Sequence, residues 1–321
     1  MTQDDYLSVR PSVRVEAHML PTAVGRSLST ITGRESMSSG LAHPSARSRV
    51  PEGRPGRRGA RQLADTRTRL SARDWLVLNQ LARFRFLTTA QIEGLCFTTH
   101  ATPGSAARIC RAVLRRLAEL RVIEHLERRI GGVRAGSQSF VWRVGVIGDR
   151  LLRSDDRTPR DRRHEPSARF LDHTLAAADA ALQLTLAARE GRVELTRLDT
   201  EPATWRPYLG PSGAQLTLKP DLYAVTASGE FEDHWFIEID RSTESLPTVV
   251  RQCQQYEAYR RSGRLQAEIE IFPWVVWLAP TAVRAQRLVE AIQGARQLDR
   301  SLYRVGVQGE LVKLVTAESA P

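Results

Sequence analysis

Between residues 147 and 168 the chain passes through GDRLLRSDDRTPRDRRHEP, a polar stretch crowded with arginine and aspartate. Such a segment cannot bury enough apolar surface to join a core. It therefore reads as a linker, and it divides the chain into two patterns expected to close separate cores. Charge divides at the same place. The 321 residues carry a formal net charge of +11, distributed as +6 over residues 1–69, +7 over 70–146, +2 over 147–170 and −4 over 171–321. A basic front half calls for a polyanionic partner, nucleic acid or an anionic membrane surface, whereas the mildly acidic rear half has a different task. No run of 18 apolar residues exists, so no membrane span is expected. The first thirty residues lack an apolar signal core. The three cysteines, Cys96, Cys110 and Cys253, are odd in number and lack metal-ligand spacing. A reducing compartment follows, and with it a cytoplasmic, plasmid- or nucleoid-associated location.

Residues 1–68 mix Gly, Pro, Ser and Arg, as in GRESMSSG and PEGRPGRRGARQ, without apolar periodicity, and are expected to be a disordered basic tail. Order is expected from Ser71, an N-cap ahead of the helical pattern Trp75, Leu76, Leu78, Leu81. Thr88 can cap a short second helix, and Pro103-Gly104-Ser105 opens a third that runs to about Leu120. Arg121–Leu126 and Phe140–Val144 read as two strands around a glycine-rich loop. Three helices and a hairpin over residues 69–146 make the layout of a winged helix-turn-helix. At about 100° per residue, Cys110, Val113, Leu114, Leu117 and Leu120 fall within an arc of roughly 120°. Arg108, Arg111 and Arg115 lie opposite, with Arg116 flanking, which suits a helix inserted in a major groove. Arg128, Arg129 and Arg134 near the wing tip, with Thr89 and Gln91 at the start of the second helix, complete the expected contacts to double-stranded DNA.

The rear domain, 169–321, opens with a long helix over about Ser167–Arg189. Strands follow over Val193–Leu198, Leu216–Val225 and His234–Asp240, then a helix over Leu246–Arg261, a strand over Ile271–Ala279, a helix over Thr281–Gln297 and a terminal strand over Leu311–Val315. The order is mixed α/β, so the whole chain is expected to be α+β. Period two puts Lys219 with Asp221 on one face of its strand, and Glu238 with Asp240 on one face of the next. If these strands pair as a hairpin, three carboxylates and a lysine converge. Asp221, Glu238 and Asp240 are hard oxygen donors suited to Mg²⁺ or Mn²⁺.

Pro220-Asp221 followed by Glu238-Ile239-Asp240, on this element order, resembles the PD-(D/E)XK nuclease fold. The resemblance implies strand-borne metal ligands and a water-orienting lysine two residues after the glutamate, where this chain has Asp240. It also implies substrate contact for Gln252 and Tyr256, a Q-xxx-Y pair, and a place near the metal for His173. Over Leu70–Ala279 the chain further resembles the replication-relaxation family of plasmids and mobile elements. That likeness rests on GGVRAGS, FVWRV and above all LKPDLYA and EDHWFIEIDRSTES. It implies a DNA-binding protein of plasmid replication, relaxation or mobilisation. Three readings stand: an origin-binding protein with a nuclease-like domain, a metal-dependent nickase, and a transcriptional or copy-number regulator whose inactive rear domain forms a homodimer. A tyrosine relaxase would have only Tyr256 and Tyr259 near the carboxylates.

Overall fold

The computed structural model describes residues 12–14, 55–98, 103–126, 140–153 and 165–317. The wing arginines Arg128, Arg129 and Arg134, most of the basic tail and the middle of the polar stretch lie outside the described residues.

A short strand β1 (Ser12–Arg14) precedes helix α1 (Pro55–Arg69). A structureless chain up to residue 68 is thus corrected: α1 places Leu63 against the core and buries Thr66. Next come α2 (Ala72–Phe84), β2 (Leu87–Thr88), α3 (Thr89–Cys96), α4 (Pro103–Glu119), β3 (Ile123–His125) and β4 (Val141–Val144). Both expected caps form. Ser71 accepts from the Asp74 N–H while the Asp74 carboxylate accepts from the Ser71 N–H, and Thr88 and Gln91 make the same reciprocal pair at α3. β2 joins the two later strands in a three-stranded antiparallel sheet ordered β2-β4-β3. Helix α5 (Val146–Leu152) then occupies the start of the expected linker, with Leu151 buried. It lies so close to β3 that a Cβ on Gly148 would stand 2.1 Å from the Val122 carbonyl oxygen.

The rear of the chain runs α6 (Ala168–Arg189), β5 (Glu194–Thr200), β6 (Arg206–Leu209), β7 (Gln215–Leu218), β8 (Leu222–Ser228), β9 (Phe231–Ile239), α7 (Leu246–Arg261), α8 (Gln266–Ile269), β10 (Trp274–Ala279), α9 (Ala282–Gly294), β11 (Tyr303–Val307) and α10 (Leu311–Thr316). The main sheet is ordered β11-β10-β9-β8-β5, with β1 pairing β9. β5, β8 and β9 are antiparallel, whereas α7 and α9 carry the chain between parallel neighbours β9, β10 and β11. Alternation along β9 sorts the layers. Trp235, Ile237 and Ile239 face α6, and Phe236 faces α7 and α9. Two expectations are corrected here. Leu216–Val225 is not one strand, because Pro220 lacks the N–H that a continuous ladder needs, and the chain breaks into β7 and β8. The expected terminal strand is helix α10, whose Leu311 and Val315 are buried four residues apart, and the strand partner of β10 is β11.

The polar stretch does not separate two cores. One apolar cluster runs from Val77, Leu81, Ile92 and Leu114 through Ala178, Ala181 and Leu184 to Ala224, Ile237 and Val276. Polar contacts cross the same junction. The Gln91 amide donates to the Leu175 carbonyl at 2.8 Å and to Asp179 at 2.6 Å, and the Arg189 guanidinium donates to the carbonyls of Gly94 and Leu95 at 2.6 and 2.8 Å. Gln91 is 2% exposed, so the expectation that it touches DNA is corrected: its side chain is consumed in capping α3 and binding α6. We expect Gln91→Ala to lower unfolding free energy by about 1–2 kcal/mol, since it removes half of the α3 capping box and the buried hydrogen bond to the Leu175 carbonyl. Urea titration measures this, and duplex affinity should stay at the parent value. A loss of affinity without a loss of stability would return Gln91 to the residues expected from the sequence to contact DNA.

Candidate functional site

Helix α4 has the two faces read from its sequence. Cys110, Leu114 and Leu117 are fully buried and Val113 and Leu120 pack at the edge of the same cluster. Arg108, Arg111, Arg115 and Arg116 are exposed. Arg116 also reaches Asp74 at 2.5 Å. Burial opposes the Asp74 charge, but Arg116 and Ser71 outweigh it and hold the carboxyl below its ordinary range. Arg116 thus ties α4 to α2. Thr89 lines a groove beside Arg111 and Arg115, and its hydroxyl accepts from the Trp142 indole N–H at 2.9 Å.

The rear unit opens a cavity of about 380 Å³ at the end of β9, between α6 and α7. His173, Lys219, Asp221, Glu238, Asp240 and Gln252 all line it, so the structure gathers every one of these expected site residues. Register explains the carboxylates. Leu222 pairs with Ile237 in the antiparallel β8–β9 ladder, so Asp221, one step earlier, falls opposite Glu238, one step later. Lys219 arrives differently from expectation. Pro220 ends the shared strand, and the Lys219 ammonium instead rests 4.5 Å from the Trp205 ring centroid.

Each carboxylate has its own surroundings. The Asp221 carboxylate bonds the His173 Nε2 at 2.9 Å and accepts from the Ile239 N–H at 2.8 Å. That contact raises the His173 pKa against the opposing effect of burial. Glu238 accepts from the Tyr256 hydroxyl. Its carboxyl lines the cavity yet is closely ringed by protein, and burial, then the Asp221 charge, push it well above its ordinary value. Burial and the Glu238 charge likewise push the Tyr256 phenol up. Asp240 is 4% exposed and receives Arg284 bidentately, at 2.7 and 2.9 Å. Both its oxygens are engaged, so Asp240 is corrected from metal ligand to ion-pair partner. Tyr256 and Tyr259 are both buried, Tyr256 behind Glu238 and Tyr259 against Tyr208 and Phe272, so neither presents a nucleophile.

Arg284 escaped the sequence reading because it lies 44 residues beyond Asp240, on helix α9, with no local pattern to link them. Arg241, Thr243 and Glu244, which line the cavity directly after Asp240, had a signal in the block RSTES. Among the described residues, no three His, Cys, Asp or Glu side chains cluster to hold a metal ion. The remaining donor set still suits one that binds through two carboxylates and completes its shell with water and phosphate, as Mg²⁺ does. Besides Asp221 and Glu238 it includes the buried Gln252 Oε1, which lines the cavity and has no hydrogen-bond partner. Among the described residues no helix is long and apolar enough to cross a membrane.

A family model described as Replication-relaxation matches residues 78–275, which takes in α4 and every residue lining the cavity except Trp277. No curated protein and no solved structure matches the chain.

The raised Glu238 carboxyl makes folding proton-linked. It holds its proton in the folded state at pH values where the unfolded chain has released it, so stability falls as pH rises from the ordinary carboxylate range through the folded-state value. Glu238→Gln removes that penalty. We expect the variant to be more stable than the parent, by a margin that vanishes toward about pH 4 and grows toward about pH 8. Urea unfolding at both pH values measures the margin, and one that is constant with pH would contradict the account.

Proposed function

The chain belongs to the replication-relaxation family, and on that premise we propose that it binds duplex DNA through α4 and offers the carboxylate cavity as a divalent-metal site for phosphodiester chemistry in plasmid or mobile-element replication or relaxation. The observation that carries the reading is α4 itself: a helix sealed on one side by Cys110, Leu114 and Leu117 that turns Arg108, Arg111 and Arg115 to the surface. Its setting supports the reading, since α2, β2, α3, α4, β3 and β4 follow the order of a winged helix. In that arrangement such a helix enters the major groove.

The cavity supplies the second half. Asp221 and Glu238 would hold Mg²⁺ or Mn²⁺, with Gln252 Oε1 placed to accept from a water in the shell. When bound, such an ion neutralises charge on a phosphodiester and acidifies its water. His173 fixes the Asp221 carboxylate, and Tyr256 fixes Glu238. Arg284 cancels the third charge, so Asp240 does not add its repulsion to the other two. A second reading is favoured by that same ion pair. Asp240 stands where a nuclease of this architecture carries its lysine, which suits a regulator that holds DNA without cutting it.

Two measurements test the proposal on the full chain. Arg111→Ala and Arg115→Ala should each cost about 1–3 kcal/mol of specific duplex affinity by fluorescence anisotropy. Unchanged affinity would assign these arginines to a merely solvated face. Mg²⁺ or Mn²⁺ at a hundredfold excess over Kd should stabilise the protein by about 2.7 kcal/mol, and Asp221→Asn should abolish the gain. Nicking of supercoiled plasmid that depends on the same ion supports the cutting reading. Stabilisation without nicking supports the regulator, and no stabilisation removes the metal site.

A further inference from the structure

We infer that the rim of the carboxylate cavity is a stacking platform for an unpaired DNA strand, and that the chain therefore holds single-stranded DNA at a place distinct from the duplex-binding face of α4. The inference rests on the proposed phosphodiester chemistry of the cavity and adds the form of the substrate. One large aromatic side chain lines this polar cavity and a second packs against a lysine that lines it, each ring partly exposed. Phe170, from the first turn of α6, lines it and is 39% exposed, and Trp205, ahead of β6, stands beyond Lys219 and is 38% exposed. Packing does not require such exposure. Phe170 uses one edge against Phe86, and the Trp205 indole N–H is satisfied by Glu201 at 3.0 Å.

A cation accompanies each ring. The Arg85 guanidinium carbon lies 5.9 Å from the Phe170 centroid, and the Lys219 ammonium 4.5 Å from that of Trp205. Arg85 is held at φ 65°, in the left-handed region where a glycine would be unstrained. A side chain kept there against backbone preference places its charge beside the ring. A smaller pocket, bounded by Arg85, Phe170, His173, Glu201 and Asp221, shares Phe170, His173 and Asp221 with the cavity and reaches Glu201, the partner of the Trp205 indole. The nearby acidic groups are already engaged: Glu244 bonds Arg169 at 3.3 Å, and Glu201 holds the indole.

Rings alternating with cations around an acidic cavity match one chemistry. Bases stack on the rings and phosphates meet the cations, which is how unpaired strands are held without regard to sequence. A duplex keeps its base faces stacked inside and has no π-face to offer Phe170 or Trp205.

The test uses the full chain in EDTA, a fluorescein-labelled single strand of about 20 nucleotides and mixed sequence, and the duplex made from it. Phe170→Leu keeps apolar bulk against Phe86, and Trp205→Leu keeps the loop apolar. Each should weaken single-strand binding at least about fivefold and leave duplex affinity unchanged, whereas Trp205→Phe should restore it. The combined Arg111→Ala, Arg115→Ala variant should keep its single-strand affinity. The inference is overturned if neither leucine variant weakens single-strand binding, if both weaken duplex binding equally, or if the α4 variant loses the single strand. Duplex binding that survives in the α4 variant counts instead against α4 as the duplex face, so the two failures are told apart.

Discussion

Helix α6 is the constraint on which the rest of the molecule depends. It has to cover the main sheet on one side and α3 on another, and it is therefore buried on most of its circumference. Only a thin helix can lie between two such surfaces. Ala176, Ala178, Ala180, Ala181 and Ala187 supply that thinness, with Leu184 filling the space between them. The fit is close enough that a Cβ on Gly94 of α3 would stand 2.9 Å from a Leu182 methyl. The same helix sets His173 against Asp221 and Phe170 at the cavity mouth. The fusion of the front and rear units and the geometry of the site are thus one packing problem.

Around the cavity the controlling problem is electrostatic. Three acidic side chains gather at the ends of two neighbouring strands, and desolvation makes each unneutralised charge costly. Each is handled differently. Asp240 receives a guanidinium, Asp221 receives an imidazole and a backbone N–H, and Glu238 receives a phenol and keeps its proton more readily than usual. The residual tension between Asp221 and Glu238 is of the kind that a bound cation would relieve. Sites that sacrifice stability in this way are commonly functional.

Much of this was legible in the sequence. Ser71 and Thr88 were readable as caps because the acceptor precedes the first turn at a set spacing, and the opposed faces of α4 followed from helical period alone. The convergence of Asp221 with Glu238 followed from strand period plus one assumption, that the two strands are hairpin neighbours, and the register bears that assumption out. Where the reading failed, local pattern carried too little information. Gln91 looks like an exposed helix-start residue until α6 is packed on it, and LVKLV satisfies strand and helix patterns equally until burial of Leu311 and Val315 selects the helix.

The division between the two kinds of information is physical. Periodicity, capping spacing and charge content are properties of neighbouring residues, so the sequence by itself determined the mixed α/β order, the arginine face of α4, and the pairing of Asp221 with Glu238. Long-range contacts are properties of packing. Only the tertiary structure decided that the polar stretch at 147–168 joins two halves of a single core, because burial depends on what α3 and α6 find opposite them rather than on the connection between them. It alone decided that Asp240 is neutralised by Arg284, that Arg85 stands over Phe170 and that Lys219 stands over Trp205, since those partners arrive from separate elements and no spacing along the chain records their meeting.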